Sequence, residues 1–135
     1  MQTKKMLTHE DVLKIAAGAE AEARSNRWAV GISIVDDGGH PLWFVRLDGA
    51  PPISAYLAPE KARTAALGRR ESRIYEEMIN QGRTAFLSAP LLAAMLEGGV
   101  PILVDGQLVG AVGVSGVKSS EDAQIARAGI AALEG

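Results

Sequence analysis

The chain has 135 residues, 47% hydrophobic and 22% charged, with a formal net charge of −2; this predicts one globular domain over residues 1–135 and excludes a disordered chain. Interspersed charges and only two Trp, two Tyr and two Phe argue against a nucleic-acid binder, which needs a basic surface or a stacking platform. There are no cysteines, so disulfides, thiolate catalysis, iron–sulfur clusters and cysteine-type zinc sites are excluded.

The opening Met1-Gln2-Thr3-Lys4-Lys5-Met6 has no long apolar run after its lysines and does not read as a secretory signal. No apolar run approaches the roughly 20 residues that cross a bilayer. With a cysteine-free composition suited to a reducing compartment, the expectation is a cytoplasmic protein with no membrane partner.

Thr8 is a helix N-cap with Asp11 closing a capping box, and Leu7 and Val12 stand at the positions of a hydrophobic staple. Val12, Ile15, Ala16, Ala19 and Ala23 recur at helical spacing, and Ser25-Asn26 ends the helix. A strand is predicted over 28–35, then a turn at Asp36-Asp37-Gly38-Gly39, then a partner strand over 40–47 with Pro41 at its start. Asp48-Gly49-Ala50-Pro51-Pro52 is a rigid loop. A helix is predicted over 60–67 with Pro59 in its first turn, and a second over 71–80 with Ile74 and Met78 on one face. Further strands are predicted over 91–96, 100–104 and 107–116. Glu97-Gly98-Gly99 turns between the first two, and Asp105-Gly106 gives a type I′ hairpin between the last two. The near-continuous apolar run of the last strand predicts a central position, with Gly110 and Gly113 marking close approach by a neighbour. Ser119 or Ser120 caps a closing helix, and the two terminal helices are expected on one sheet face. Tight hairpins predict an antiparallel sheet rather than a dinucleotide-binding βαβ fold.

Several blocks in fixed order then carry a resemblance. Val35-Asp36-Asp37-Gly38-Gly39, Arg46-Leu47-Asp48-Gly49-Ala50 and Glu60-Lys61-Ala62-Arg63-Thr64-Ala65 resemble the GlcG/HbpS-like family. So do Gly98-Gly99-Val100-Pro101-Ile102, Asp105-Gly106 and the run from Val109 to Gly116. The chain is also similar to the C-terminal part of PduO-type corrinoid adenosyltransferases. The resemblance covers nearly the whole chain. It implies an α/β (α+β) domain with a profilin-like five-stranded antiparallel sheet flanked by helices, assembled as dimers or larger rings. It also implies haem or a related tetrapyrrole as ligand, and for some members a place in glycolate, glycerol or aromatic catabolism.

Asp48 and Lys61 are the candidate catalytic residues. Asp48 opens a loop where a rigid strand ends, and Lys61 lies among alanines on a helix, where a lysine can act as base or anion anchor. The alternative is a salt bridge between the two that ties loop to helix. Arg46 shares a strand face with Asp48 and can pair with a carboxylate, a haem propionate or an organic acid, or stand simply as an exposed arginine. Gly99 and Ser115 are candidate ligand contacts, through backbone N–H groups at a strand end and a hydroxyl; a structural turn is the alternative for the Gly98-Gly99 pair. His9 and His40 are the candidate haem ligands, each alternatively a solvated polar residue; Tyr56, Tyr75 and Met95 are lesser ones that also suit packing. No zinc or other metal site is expected from two histidines far apart.

Three functions are carried forward: a homo-oligomer binding haem in a pocket near the subunit interface; a cofactor-independent hydrolase or isomerase acting on a carboxylated metabolite; and a structural accessory protein. Oligomerisation is expected because Trp43 and Phe44 exceed what a small sheet and its own helices can cover.

Overall fold

The structure, a computed structural model, describes residues 1–134. Its elements in order are α1 (His9–Ser25), β1 (Gly31–Asp36), β2 (Pro41–Arg46), α2 (Ser54–Gly68), α3 (Ser72–Asn80), β3 (Gly99–Val104), β4 (Gln107–Ser115) and α4 (Ser119–Leu133). A short 3₁₀ turn covers Thr84–Ser88.

Local sequence explains both ends of the hairpins and the first helix. The Thr8 hydroxyl accepts from the Asp11 N–H at 3.2 Å and the Asp11 carboxylate accepts from the Thr8 N–H at 2.9 Å, so two of the helix's orphan donors are satisfied. Asp105 and Gly106 both lie at positive φ, 50° and 76°, as a type I′ turn requires. At the other hairpin the Asp36 carboxylate accepts the Gly38 and His40 N–H groups, each at 2.9 Å.

The two hairpins join through β1 and β4, so the strand order is β2-β1-β4-β3 and every pair is antiparallel. β4 is interior, as its apolar run predicts. Among the described residues the sheet has four strands, not five. The expected strand over 91–96 is irregular backbone, with Leu91 left-handed (φ 68°). Leu-Leu-Ala-Ala-Met-Leu has no β-branched residue and no alternation. Side chains hold the segment instead: the Thr64 hydroxyl donates to the Ala94 carbonyl at 3.2 Å, and Glu76 accepts the Glu97 N–H at 2.7 Å.

Helices cover both faces. α1 and α4 share one face, where Val12, Ile15, Ile125 and Ala126 pack on Ile32, Ile34, Ile102, Val112 and Val114. α2 lies on the other, Ala62, Ala65 and Ala66 against Val35 and Ala111. Contact there is backbone on backbone. A Cβ built on Gly113 would stand 2.1 Å from the Ala58 carbonyl oxygen, and one on Gly99 2.1 Å from that of Lys61. Gly99 and Gly113 are register partners, so together they form the saddle on which α2 rests. This packing carries α2 back to Ser54, more than a turn before the expected start, and places Pro59 inside the helix rather than in its first turn. At α4 neither Ser119 nor Ser120 is the cap. The Glu121 carboxylate accepts the Lys118 N–H at 3.3 Å and the Asp122 carboxylate accepts the Val117 N–H at 3.2 Å.

Candidate functional site

Lys61 leaves the buried flank of α2 and passes Gly98, where a Cβ would meet its Nζ at 2.9 Å. It ends between groups of β4 and α4. Nζ donates to the Val114 carbonyl and to the Asp122 carboxylate, both at 3.1 Å. Lys61 and Asp122 are 4% and 2% exposed. Burial pushes the Asp122 carboxyl above the usual aspartate range; the Lys61 ammonium and the Val117 N–H pull it back only in part. The partner of Lys61 is therefore Asp122, not Asp48, and the pair clamps α2 to the start of α4 around the end of the sheet. A lysine so engaged presents no free base to a ligand. The expected Asp48–Lys61 pair is not assembled.

Asp48 is exposed and follows β2. It lines an open depression of about 560 Å³ with Arg46, Arg24, Arg27, Trp28, Ala29, Val45 and Leu47. Arg46 and Asp48 thus line one depression, in the company of two arginines and a tryptophan that sequence reading did not select. Gly99 and Ser115 are not in it. The Gly99 N–H is taken by the Ser72 hydroxyl at 2.8 Å, and Ser115 is buried in the ladder opposite Gly31. Neither faces a cleft, because α2 covers that side of the sheet.

The histidines stand apart. His9 is exposed at the first residue of α1. His40 is 76% exposed in its side chain, with Nδ1 3.0 Å from the Asp36 carboxylate. With the Nδ1 proton assigned to that hydrogen bond, Nε2 is the free nitrogen, the arrangement by which a carboxylate orients a ligating imidazole. His40 begins a strip along the edge strand. Leu42 and Phe44 are 39% and 42% exposed on the side that α2 leaves uncovered, and Arg46 closes the strip. Trp43 and Val45 point the other way and pack on the core, so Phe44 but not Trp43 supplies the uncovered apolar surface expected of this strand. Tyr75 is buried, edge-on to Phe86 at 5.4 Å, and Met95 is buried, while Tyr56 is exposed. A further depression of about 590 Å³, at the opposite end of the sheet, is lined by Met6, Leu7, Ile102, Leu103, Ile130 and Leu133 among others. Among the described residues no three metal-ligating side chains cluster, and no helix is long and apolar enough to cross a membrane.

A family model described as haem degrading protein HbpS-like matches residues 7–131. The chain belongs to the HbpS-like family. Among its relatives, protein GlcG of Escherichia coli (strain K12) is 57% identical over 115 residues, 85% of each chain. Among solved structures, a PduOC:haem complex superposes with a TM-score of 0.88 at 27% identity, over 95% of each chain. A double mutant of Streptomyces reticuli HbpS superposes with a TM-score of 0.87 at 32% identity, over 97% of this chain and 89% of that one. The HbpS-like match thus spans nearly all of the chain, and a PduOC structure with the same fold is a haem complex.

Proposed function

We propose that the protein binds haem or a related tetrapyrrole on the outer strip of β2, in a pocket that a second copy of the chain completes. The observation that carries the reading is His40, an exposed imidazole whose Nδ1 is held by Asp36 and whose Nε2 is free to ligate iron. Leu42 and Phe44 beside it offer an apolar bed, and Arg46 at the far end suits a propionate. The superposition on a PduOC:haem complex supports the same ligand class. β2 is an edge strand with exposed apolar side chains, a surface that soluble proteins normally cover. The hydrolase or isomerase reading draws no support from the geometry, because Lys61 is sealed against Asp122 and Asp48 stands elsewhere.

The test is a haem titration of apo-protein followed by absorbance and by sizing. A saturable Soret band is expected, weakened in His40→Ala and retained in His9→Ala and Met6→Leu. Retention in His40→Ala with loss in His9→Ala or Met6→Leu would move the ligand to the α1 end. No saturable band would overturn the haem reading.

A further inference from the structure

Two arginines occupy equivalent, unusual positions in this fold. α1 and α2 both end with a residue in the left-handed conformation, Arg27 at φ 58° and Arg69 at φ 56°. Both ends carry the same hydrogen-bond pattern. The Arg27 and Trp28 N–H groups return to the Arg24 and Ala23 carbonyls, and the Arg69 and Arg70 N–H groups to those of Ala66 and Ala65. This is the Schellman arrangement, whose left-handed position belongs normally to glycine. A side chain there is strained, so its presence asks for a use.

Arg69 has one inside the protein. Its guanidinium donates to the carbonyls of Ala66 and Asp37 and so ties α2 to the β1–β2 turn. Arg27 has none: among the described residues its guanidinium makes no ion pair and no hydrogen bond, and the same holds for Arg46. Both line one depression, which the half-buried Trp28 also lines. Trp28 packs against the core and its remaining surface faces the cleft. Arg24 adds a third guanidinium, already paired with Glu20 at 3.3 Å, and Asp48 is the single carboxylate of the lining. The Glu22, Ala23 and Arg24 carbonyls in the last turn of α1 are engaged by the Schellman bonds and by the Ser25 and Asn26 side chains.

We infer that this cleft is a binding site for a small planar carboxylate, with Arg27 and Arg46 holding the carboxylate and the Trp28 ring receiving the ligand's flat face. Guanidinium forks match carboxylate geometry in a bidentate manner, and an aromatic surface selects a planar partner over a saturated one. The site shares Arg46 with the haem reading but rests on Arg27 and Trp28, which that reading does not use, and it needs no haem.

The test is an NMR titration of haem-free, full-length protein, read at the Trp28 indole N–H. Its resonance is identified by its disappearance in Trp28→Phe. Benzoate, cyclohexanecarboxylate and inorganic phosphate are the probes. A saturable shift with benzoate is expected, with weaker binding of both other probes. Arg27→Gly and Arg46→Ala should each weaken benzoate by about tenfold or more, the loss of a charge-assisted bond. Arg69→Gly, the same change at the equivalent helix end, should stay within about twofold of wild type. Arg27→Gly suits the backbone it enters, so loss of fold does not confound the result. Absence of a saturable Trp28 shift, phosphate binding as tight as benzoate, or undiminished binding in Arg27→Gly would each overturn the site.

Discussion

One end of the sheet handles its cations in two contrasting ways. Where β3 and β4 meet α4, Lys61 is buried and bonded to Val114 and Asp122. Across the same end, beside β2, Arg27 and Arg46 stand around an open cleft with no partner among the described residues. A buried charge is tolerated only when paired, so Lys61 is bound to the architecture. An exposed guanidinium costs little to leave free, so it remains available to a ligand. The lysine surrounded by alanines is the structural cation, and the arginine at a strained helix end is the recognition one.

The strongest way to break this contrast is Lys61→Met. It leaves Asp122 buried without its cation and should cost about 3–5 kcal/mol in urea unfolding at neutral pH. Asp122 already lies above the usual aspartate range in the folded state, and the substitution raises it further. A carboxyl raised on folding stabilises below its unfolded pKa, and that stability is lost as pH rises through the folded one. The deficit of Lys61→Met should therefore shrink as pH falls toward about 4. Lys61→Met/Asp122→Asn should be less destabilised than the single variant, since the new side-chain amide is uncharged and its oxygen would still accept the Val117 N–H. Equal losses at all pH values and in both variants would show that the pair is not coupled.

The next effect tests how α2 is seated. Gly113→Ala places a methyl against the Ala58 carbonyl and the α2 backbone, which cannot move aside as a side-chain tip would. A loss of about 1–3 kcal/mol is expected, read as a drop in Tm by calorimetry. A neutral result would mean that α2 shifts on the sheet freely.

The smallest effect has the opposite sign and sharpens the comparison. Arg27→Gly relieves the left-handed strain while adding freedom to the unfolded chain, for a net gain of about 0.5–1 kcal/mol. Stability should rise while benzoate binding falls, the signature of strain retained for recognition. A variant that loses stability would instead make Arg27 a structural residue like Arg69.

Much of the fold is legible in sequence where the cause is local. The Thr8–Asp11 capping box, the Asp105-Gly106 turn and the apolar run of β4 each depend on residues a few positions apart, and each forms as read. The family blocks from Val35 to Gly116 likewise lead to the HbpS-like family. The fifth strand over 91–96 fails because apolar content alone does not separate a strand from an irregular segment pinned by Thr64 and Glu76. For the site, Arg46 and Asp48 line one cleft together with Val45 and Leu47 between and beside them, so strand alternation does not select the pair, while Gly99 and Ser115 are covered by α2.

By itself the sequence determined the elements whose hydrogen bonds close within a turn or a hairpin, because capping, β-turn dihedrals and side-chain period are set by neighbouring residues. Only the tertiary structure decided which charges meet. Asp122 lies 61 positions from Lys61 and reaches it because helices on opposite faces meet around the sheet end. Arg27 joins Arg46 because α1 ends beside the edge strand. Those meetings depend on the packing of α2 on the Gly99–Gly113 saddle and of α1 and α4 on the opposite face, and no local pattern encodes them.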